Sequence, residues 1–307
     1  MYFAMFEEGF LKVSNIHDIY YATYGNKNGI PLIFVHGGPG GCSDPIKRVD
    51  GLDLDKFYCV FYDQRGCGKS TPNGELKENT TQYLIEDIKK LMDHLSVKKA
   101  TFVGSSWGSC LILLFSISYP EMVERMLLSS TFLARKSDSE WLYKGSRAIF
   151  PDLYEKFMEP IISKYKGDNI DGYLLETIEK SDFEEKKKIA CLMANYEYSL
   201  MLMVFSNSTF RKPEDIEESD INSTRIFLHF ESNNFFIENE YILKNADKIR
   251  NIPIKFYHGR FDMNCTIDGA YSLHKMLPNS KMIIVPYESH IGVLMKELQK
   301  SDINNLI

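Results

Sequence analysis

The sequence predicts an α/β protein: a mostly parallel, about eight-stranded sheet with one all-α block inserted into it. Three observations carry this expectation. Strand-like and helix-like segments alternate through the first half of the chain, the alternation stops near Ala134, and it resumes at Pro253. Sheet-type sequence therefore lies on both sides of a helical stretch rich in aromatic and charged residues. That return favours an insertion over a second independent domain. The expected division is one core formed by residues 1–133 and 241–307, with 134–240 as a helical cap.

Residues 16–23 and 31–35 are β-rich runs bounded by turn residues, and Phe57–Tyr62, 100–103 and 123–128 follow them. Between these runs, Leu84, Ile85, Ile88, Leu91, Met92 and Leu95 recur at helical spacing, behind Asn79, Thr80 and Thr81 as N-cap candidates. Residues 110–119 form a second apolar helix that stops at Pro120. After the block come a strand at 253–257, a helix near 267–276 and a strand at 281–285.

Composition narrows the function classes. The chain has 307 residues, 44% hydrophobic and 25% charged, enough to bury a rigid site. Its net charge of −6 argues against a nucleic-acid partner. Lys186, Lys187 and Lys188 follow Glu184 and Glu185 and read as a solvated helix face. The six cysteines, Cys42, Cys59, Cys67, Cys110, Cys191 and Cys265, form no C-x-x-C pair, and no histidine cluster has metal-ligand spacing. No metal or cofactor is expected. The start, MYFAMFEEGF, lacks the basic and apolar regions of a signal peptide, and the longest apolar run, 110–117, is too short for a bilayer. The expectation is a reduced, cytoplasmic protein with no membrane partner.

Residues 62–71, "YDQRGCGKST", end as a phosphate-binding P-loop ends. That motif needs a glycine where Asp63 stands, and a carboxylate there would repel phosphate. The stretch reads instead as a turn pinned by hydrogen bonds of Asp63 and Arg65.

Gly104-Ser105-Ser106-Trp107-Gly108 fits G-x-S-x-G, directly after one strand and opening the next helix. Strand, sharp turn and helix are the context of a nucleophile elbow, which raises the Ser106 hydroxyl above the sheet edge. A serine nucleophile needs a base, most often a histidine held by a carboxylate, in the chain order serine, acid, histidine. Four histidines follow the elbow: His229, His258, His274 and His290. His290 comes after the last strand, as the order requires. His258 precedes the acid candidate, and His274 sits within a helix. For the acid, Asp262 ends "HGRFD" behind a strand; Asp268 lies on the next helix, and Glu288 is too close to His290. The expected triad is Ser106, Asp262 and His290. An acyl-transfer site also needs donors for the developing oxyanion. The backbone N–H of Trp107 is one, and Gly38 in "FVHGGPGG" supplies the other, where backbone without side chains can approach closely.

"HGGPGG", "DQRGCGKS", "GSSWGS" and "HGRFD", in this order and spacing, resemble the proline iminopeptidases, serine peptidases with the α/β-hydrolase fold. The resemblance spans about residues 18–290. It implies release of an N-terminal proline by the triad beneath a helical cap, from peptides with a free N-terminus. It further implies that Glu197 and Glu231 bind the substrate amino group. Tyr196-Glu197 stands where the family carries Trp-Glu, and Glu231 opens a stretch ending in Phe235. Phe132 and Phe235 match family pocket positions, and Leu142 falls where an aromatic residue is usual. Ser289 precedes His290 where the family often has glycine; a positive φ there would cost on the order of 1 kcal/mol. Cys265 follows closely on Asp262, within reach of blocking the site when modified. Two other readings stay open: a general hydrolase of esters, small amides or other N-terminal residues, and a non-catalytic binding protein of the same fold.

Overall fold

The structure, a computed structural model, describes residues 5–203 and 210–307. Residues 204–209 of the expected helical block lie outside the described residues. Eight strands form one sheet in the order β1-β2-β4-β3-β5-β6-β7-β8. They are β1 Met5–Lys12, β2 Asp18–Gly25, β3 Ile30–Val35, β4 Phe57–Tyr62, β5 Ala100–Ser106, β6 Val123–Thr131, β7 Ile254–Gly259 and β8 Ser280–Val285. β1 and β2 run antiparallel to their neighbours, and β4, β3, β5, β6, β7 and β8 are parallel. All eight assignments agree with a mostly parallel sheet, and one strand, β1, was not expected. It is an edge strand carrying Glu7, Glu8 and Lys12, so it lacks the apolar run that marks the inner strands. Its place is held by pairing: Tyr20 Oη donates to Glu8 at 2.6 Å and Tyr21 Oη to Glu7 at 2.9 Å. β2 starts at Asp18 and not at Ile16, because Ser14 Oγ takes the N–H groups of Ile16 and His17 into a turn.

The inner strands are buried on both faces, as parallel strands covered by helices must be. On one face Ile33, Val60, Tyr62 and Phe102 pack under the helices Thr81–His94 and Trp107–Ser118. The second of these helices is apolar all round because residues 107–117 are all buried. On the other face Phe34 stacks on Phe61, and Phe57, Val103 and Leu127 meet Met295 and Ile303 of the C-terminal helix Val293–Asn304. Between β6 and β7 every regular element among the described residues is helical. The longest are Ile170–Lys180, Phe183–Leu202 and Glu218–Ser232, and they share a core of their own, including Leu174, Ile178, Ile189, Leu200 and Leu228.

The turn after β4 has no phosphate role. Asp63 accepts from Ser43 N–H, Ser43 Oγ and Lys69 N–H, each within 2.8 Å. Gly68 is required beside it, since a Cβ there would lie 2.3 Å from the Asp63 carboxylate. Arg65 is buried and forks onto Asp87 through Nε and an Nη at 2.6 and 2.7 Å, with the Glu78 carbonyl taking a third N–H. Asn79, an N-cap candidate from sequence, instead donates to the Arg65 carbonyl, and Thr80 takes the cap position. Lys69 lies over the Tyr20 ring, and Ser70 bridges Tyr20 N–H and the Asp63 carbonyl.

Removing one member of a buried ion pair strands the other charge, typically at a cost of about 3–5 kcal/mol. Asp87→Ala is expected to lower the unfolding free energy by about that amount in urea titrations. The exposed pair Lys89–Asp93 serves as comparison: Asp93→Ala is expected to change stability by less than about 1 kcal/mol.

Candidate active site

β3 lies between β4 and β5, so the chain leaves β3 and β5 toward opposite sides of the sheet. The crevice at such a reversal is where α/β sheets bind ligands. Ser106 sits there, at φ 57° and ψ −130°, a conformation that needs support from its surroundings. The glycines of the elbow supply it. A Cβ on Gly104 would come within 2.4 Å of Ile112 Cδ1, and one on Gly108 within 2.3 Å of the Val35 carbonyl oxygen. Gly37 faces Ser106 so closely that its own Cβ would lie 3.4 Å from the serine Cβ. Trp107 is the first residue of the helix, where backbone N–H groups have no helical acceptor.

One polar chain ties the three loops together. Trp107 Nε1 donates to Gln64 Oε1 at 2.8 Å, Gln64 Nε2 donates to the His36 carbonyl at 2.9 Å, and Gln64 N–H donates to His36 Nε2 at 2.9 Å. His36 Nδ1 points at the Gly37 carbonyl, which assigns the proton to Nδ1. Burial lowers the His36 pKa and keeps the ring neutral in this role, against an opposing pull from Asp63.

Asp262 follows β7 and His290 follows β8, and the two meet. His290 Nδ1 lies 2.9 and 3.1 Å from the Asp262 carboxylate oxygens. Burial pushes the Asp262 pKa up, but His290, His258 and the Cys265 N–H outweigh it and hold the carboxyl below its usual range. Burial pushes the His290 pKa down, and Asp262 and Glu197 outweigh that and raise it. Ser130 Oγ donates to the His290 carbonyl at 2.6 Å, and Ser289 Oγ donates to Met201 at 2.7 Å. Ser289 does not have a positive φ, so the cost anticipated from sequence is not incurred. The close approach falls on Gly259, where a Cβ would lie 2.1 Å from the Ser289 carbonyl oxygen. Ser106 and His290 line one cavity of about 370 Å³, together with Gly37, Gly38 and Glu197. Among the described residues, Ser106 Oγ meets Cys265 Sγ at 3.9 Å and makes no hydrogen bond to His290. Burial pushes the Cys265 thiol well up, so it is a poor thiolate at neutral pH.

A second, smaller pocket opens from Ser106 toward the helical block. Gly38, Phe132, Leu142, Glu197, Glu231 and Phe235 all line it, with Asp138, Asn264 and Cys265. Glu231 is buried and accepts from Ser139 Oγ at 2.7 Å. Burial, then Asp171, and further Asp138 and Glu197, push its pKa well up. Burial likewise raises Glu197, against His290 and Asn264. Asp171, hydrogen-bonded by Tyr143, is pushed up to about 6 by burial. Phe235 packs on Trp107 and Phe132 at ring-centroid distances of 5.5 and 5.1 Å. It lies in a run of three left-handed residues, Asn234 to Phe236, at φ of 49° to 55°. Thr81 Oγ1 and Gln82 Nε2 hold that run by donating to the carbonyls of Phe235 and Phe236.

Comparison with known proteins places this geometry. Residues 30–296 match the family model described as alpha/beta hydrolase fold. The chain is 38% identical to a probable proline iminopeptidase of Leptolyngbya boryana, over 97% of this chain and 94% of the relative. It is 34% identical to the proline iminopeptidase of Neisseria meningitidis serogroup B, over 91% and 89%. The chain belongs to the proline iminopeptidase family. Among solved structures, the crystal structure of VinJ superposes with a TM-score of 0.71 at 17% identity, covering 99% of this chain and all of that one. MGS-M2, an alpha/beta hydrolase enzyme from a deep-sea metagenome library, gives 0.67 at 18%, covering 97% and 98%. At such identities these two show the fold.

Within this proline iminopeptidase relative, the residues singled out from sequence converge on two adjoining cavities. Trp107 and Asp262 are the exceptions: the Trp107 side chain is fully buried beneath them, packed on Phe235, and Asp262 is buried against His290. Three further histidines are placed elsewhere. His258 donates to the Cys265 carbonyl beside Asp262, His274 meets Ser280 Oγ, and His229 meets the Asn79 carbonyl. Sequence reading missed Asn264, Asp138 and Asp171, acidic or amide residues drawn from three separate segments. Nothing local marks them; only their shared proximity to the two glutamates does.

Two outcomes test this architecture. Gly108→Ala forces a Cβ against backbone and is expected to cost about 1–3 kcal/mol in denaturant melts and to slow fluorophosphonate labelling of Ser106. Asp262→Asn removes the main influence raising His290, so NMR titration of the ring is expected to give a pKa below about 6.5. In the wild type, the stabilisation from His290 is complete below about pH 6.5 and is lost as pH rises through its raised value; that from Asp262 is complete above about pH 3.9 and is lost as pH falls through its lowered value. The pair therefore stabilises the fold most between those limits.

Proposed function

We propose that this chain is a serine aminopeptidase that releases the N-terminal residue of peptides, preferably proline, through an acyl-enzyme. One observation carries the reading: the Ser106 pocket has a carboxyl pair, Glu197 and Glu231, on one side and aromatic and apolar walls, Phe132, Phe235 and Leu142, around it. A proline ammonium has two N–H donors, and two carboxyl groups, Glu231 buried and Glu197 half-buried, can accept both. The raised proton affinity of the pair reflects burial at both glutamates, with Asp171 and other carboxylates adding to it at Glu231, and a bound ammonium relieves it.

Ser106 Oγ attacks the carbonyl carbon of the first residue while His290 Nε2 takes its proton. Asp262 orients the ring through Nδ1–H and stabilises the imidazolium. The N–H groups of Gly38 and Trp107 receive the oxyanion. His290 then protonates the departing amine, and a water activated by the same nitrogen frees the acyl group from Ser106. Ser106 Oγ reaches His290 by rotation about χ1, away from Cys265. In this reading the helical block 134–240 acts as the cap that closes over the site. The six cysteines are free, which supports a reducing, cytoplasmic setting. No helix among the described residues is long and apolar enough to cross a membrane.

A second reading, cleavage of bulkier N-terminal residues, draws on a further cavity of about 160 Å³. It continues past Leu142 and Glu197 between Met158, Met193 and Phe227.

Hydrolysis of prolyl-, alanyl- and N-acetylprolyl-naphthylamide tests the first reading, and phenylalanyl-naphthylamide, cleaved as fast as the prolyl substrate only under the second, separates the two. Fast prolyl, slow alanyl and no acetylprolyl cleavage is the expected pattern. Ser106→Ala is expected to lose at least about 10⁴-fold in kcat. Glu231→Gln is expected to lose about 10–100-fold in kcat/KM, the worth of a charged hydrogen bond. Equal cleavage of the acetylated substrate would remove the amine clamp and leave a general serine hydrolase.

A further inference from the structure

The cavity that holds Ser106, His290 and Glu197 also reaches two cations, Arg48 and Lys296, on the side away from Glu231. Arg48 sits on the short helix Pro45–Val49 and Lys296 on the helix Val293–Asn304 that follows His290. Both side chains also line a neighbouring basic cavity with Lys47 and Lys300, so they form the wall between the two. The other two cations there are paired, Lys47 with Asp44 at 2.7 Å and Lys300 with Glu297 at 3.3 Å. Arg48 and Lys296 have neither an ion pair nor a side-chain hydrogen bond among the described residues. Burial lowers the pKa of Arg48, and burial together with Arg48 and Lys47 lowers that of Lys296. Asp44 and Glu288 oppose these shifts without pairing, and Lys296 is exposed. Two like charges held together repel, and an anion between them reverses that.

Charge is thus graded about Ser106. Glu231 lines the pocket on one side, Arg48 and Lys296 line the cavity on the other, and Glu197 borders both. A short peptide has the complementary polarity, with an ammonium at its first residue and a carboxylate at its last. A cavity of about 370 Å³ spans roughly 9 Å if equidimensional, the reach of two to three extended residues.

We propose that Arg48 and Lys296 bind a carboxylate on the leaving part of the substrate, which makes di- and tripeptides with a free C-terminus the preferred substrate class. This rests on the aminopeptidase reading above. The C-terminal carboxylate is the source favoured, because every short peptide carries one; an Asp or Glu side chain has the same chemistry. Lengthening the peptide or amidating its end removes the contact. The contact is made equally before and during attack, so its loss is read mainly in KM.

The test compares kcat/KM for Pro-Gly-Gly, Pro-Gly-Gly amide and Pro-Asp-Gly amide, with prolyl-naphthylamide reporting the Ser106 chemistry. The free acid is expected to exceed the amide by about tenfold, less at high salt. Arg48→Gln and Lys296→Gln each reduce that ratio, and the double variant brings it near one. Lys47→Gln, a paired cation outside the Ser106 cavity, leaves the ratio as it is. Recovery with Pro-Asp-Gly amide supports the carboxylate site and extends its source to side chains. A ratio near one in the wild type, or a ratio that survives the double variant, overturns the assignment while prolyl-naphthylamide cleavage leaves the aminopeptidase reading standing. No cleavage of any of the four overturns both.

Discussion

The site depends on how closely the first turn of the helix Trp107–Ser118 approaches the end of β3. Gly108 packs against the carbonyls of Val35 and His36, with no room for even a methyl group. That contact forces the sharp bend at Ser106, and the bend points its hydroxyl into the crevice. It also sets Trp107 under the pocket, where the ring supports Phe235 and the indole N–H anchors Gln64. Gln64 in turn orders His36 and the glycine loop that faces Ser106. A change at one glycine therefore reaches the elbow, the glycine loop and the aromatic wall together.

The second constraint is electrostatic. Burying Glu231 close to Asp171, Asp138 and Glu197 is unfavourable without a cation, and the fold accepts that at one end of the crevice. At the other end Arg48 and Lys296 line one cavity with no ion pair among the described residues. Like charges at either end repel, and the ligand proposed above, an ammonium at one end and a carboxylate at the other, would offset both. The strained left-handed run at Asn234 to Phe236 belongs to the same pattern: the backbone conformation is unfavourable, and the helix Thr81–His94 holds it by hydrogen bonds so that Phe235 faces the pocket.

What could be read from the sequence was local. The inner strands were legible because parallel strands buried on both faces are continuous apolar runs, as in Phe57–Tyr62. The elbow was legible because strand, glycine, serine and helix are contiguous. β1 was not, since an edge strand with two glutamates has no apolar signature and is held by pairing with β2. Asn79 was read as a helix cap, but a more distant demand, the Arg65 carbonyl, claims its side chain.

The chain by itself determined the alternation of the sheet, the interrupting helical block, and the residue types at the elbow and at Asp262 and His290, because each is a short-range pattern with its own periodicity or turn chemistry. Only the tertiary structure decided which charges face each other. The meeting of Glu197 with Glu231, of Arg48 with Lys296, and of Ser106 with Cys265 joins segments far apart in sequence, and no local signal records such proximity. It arises from the closure of helices over the sheet, where packing sets distance and burial sets the strength of each charge.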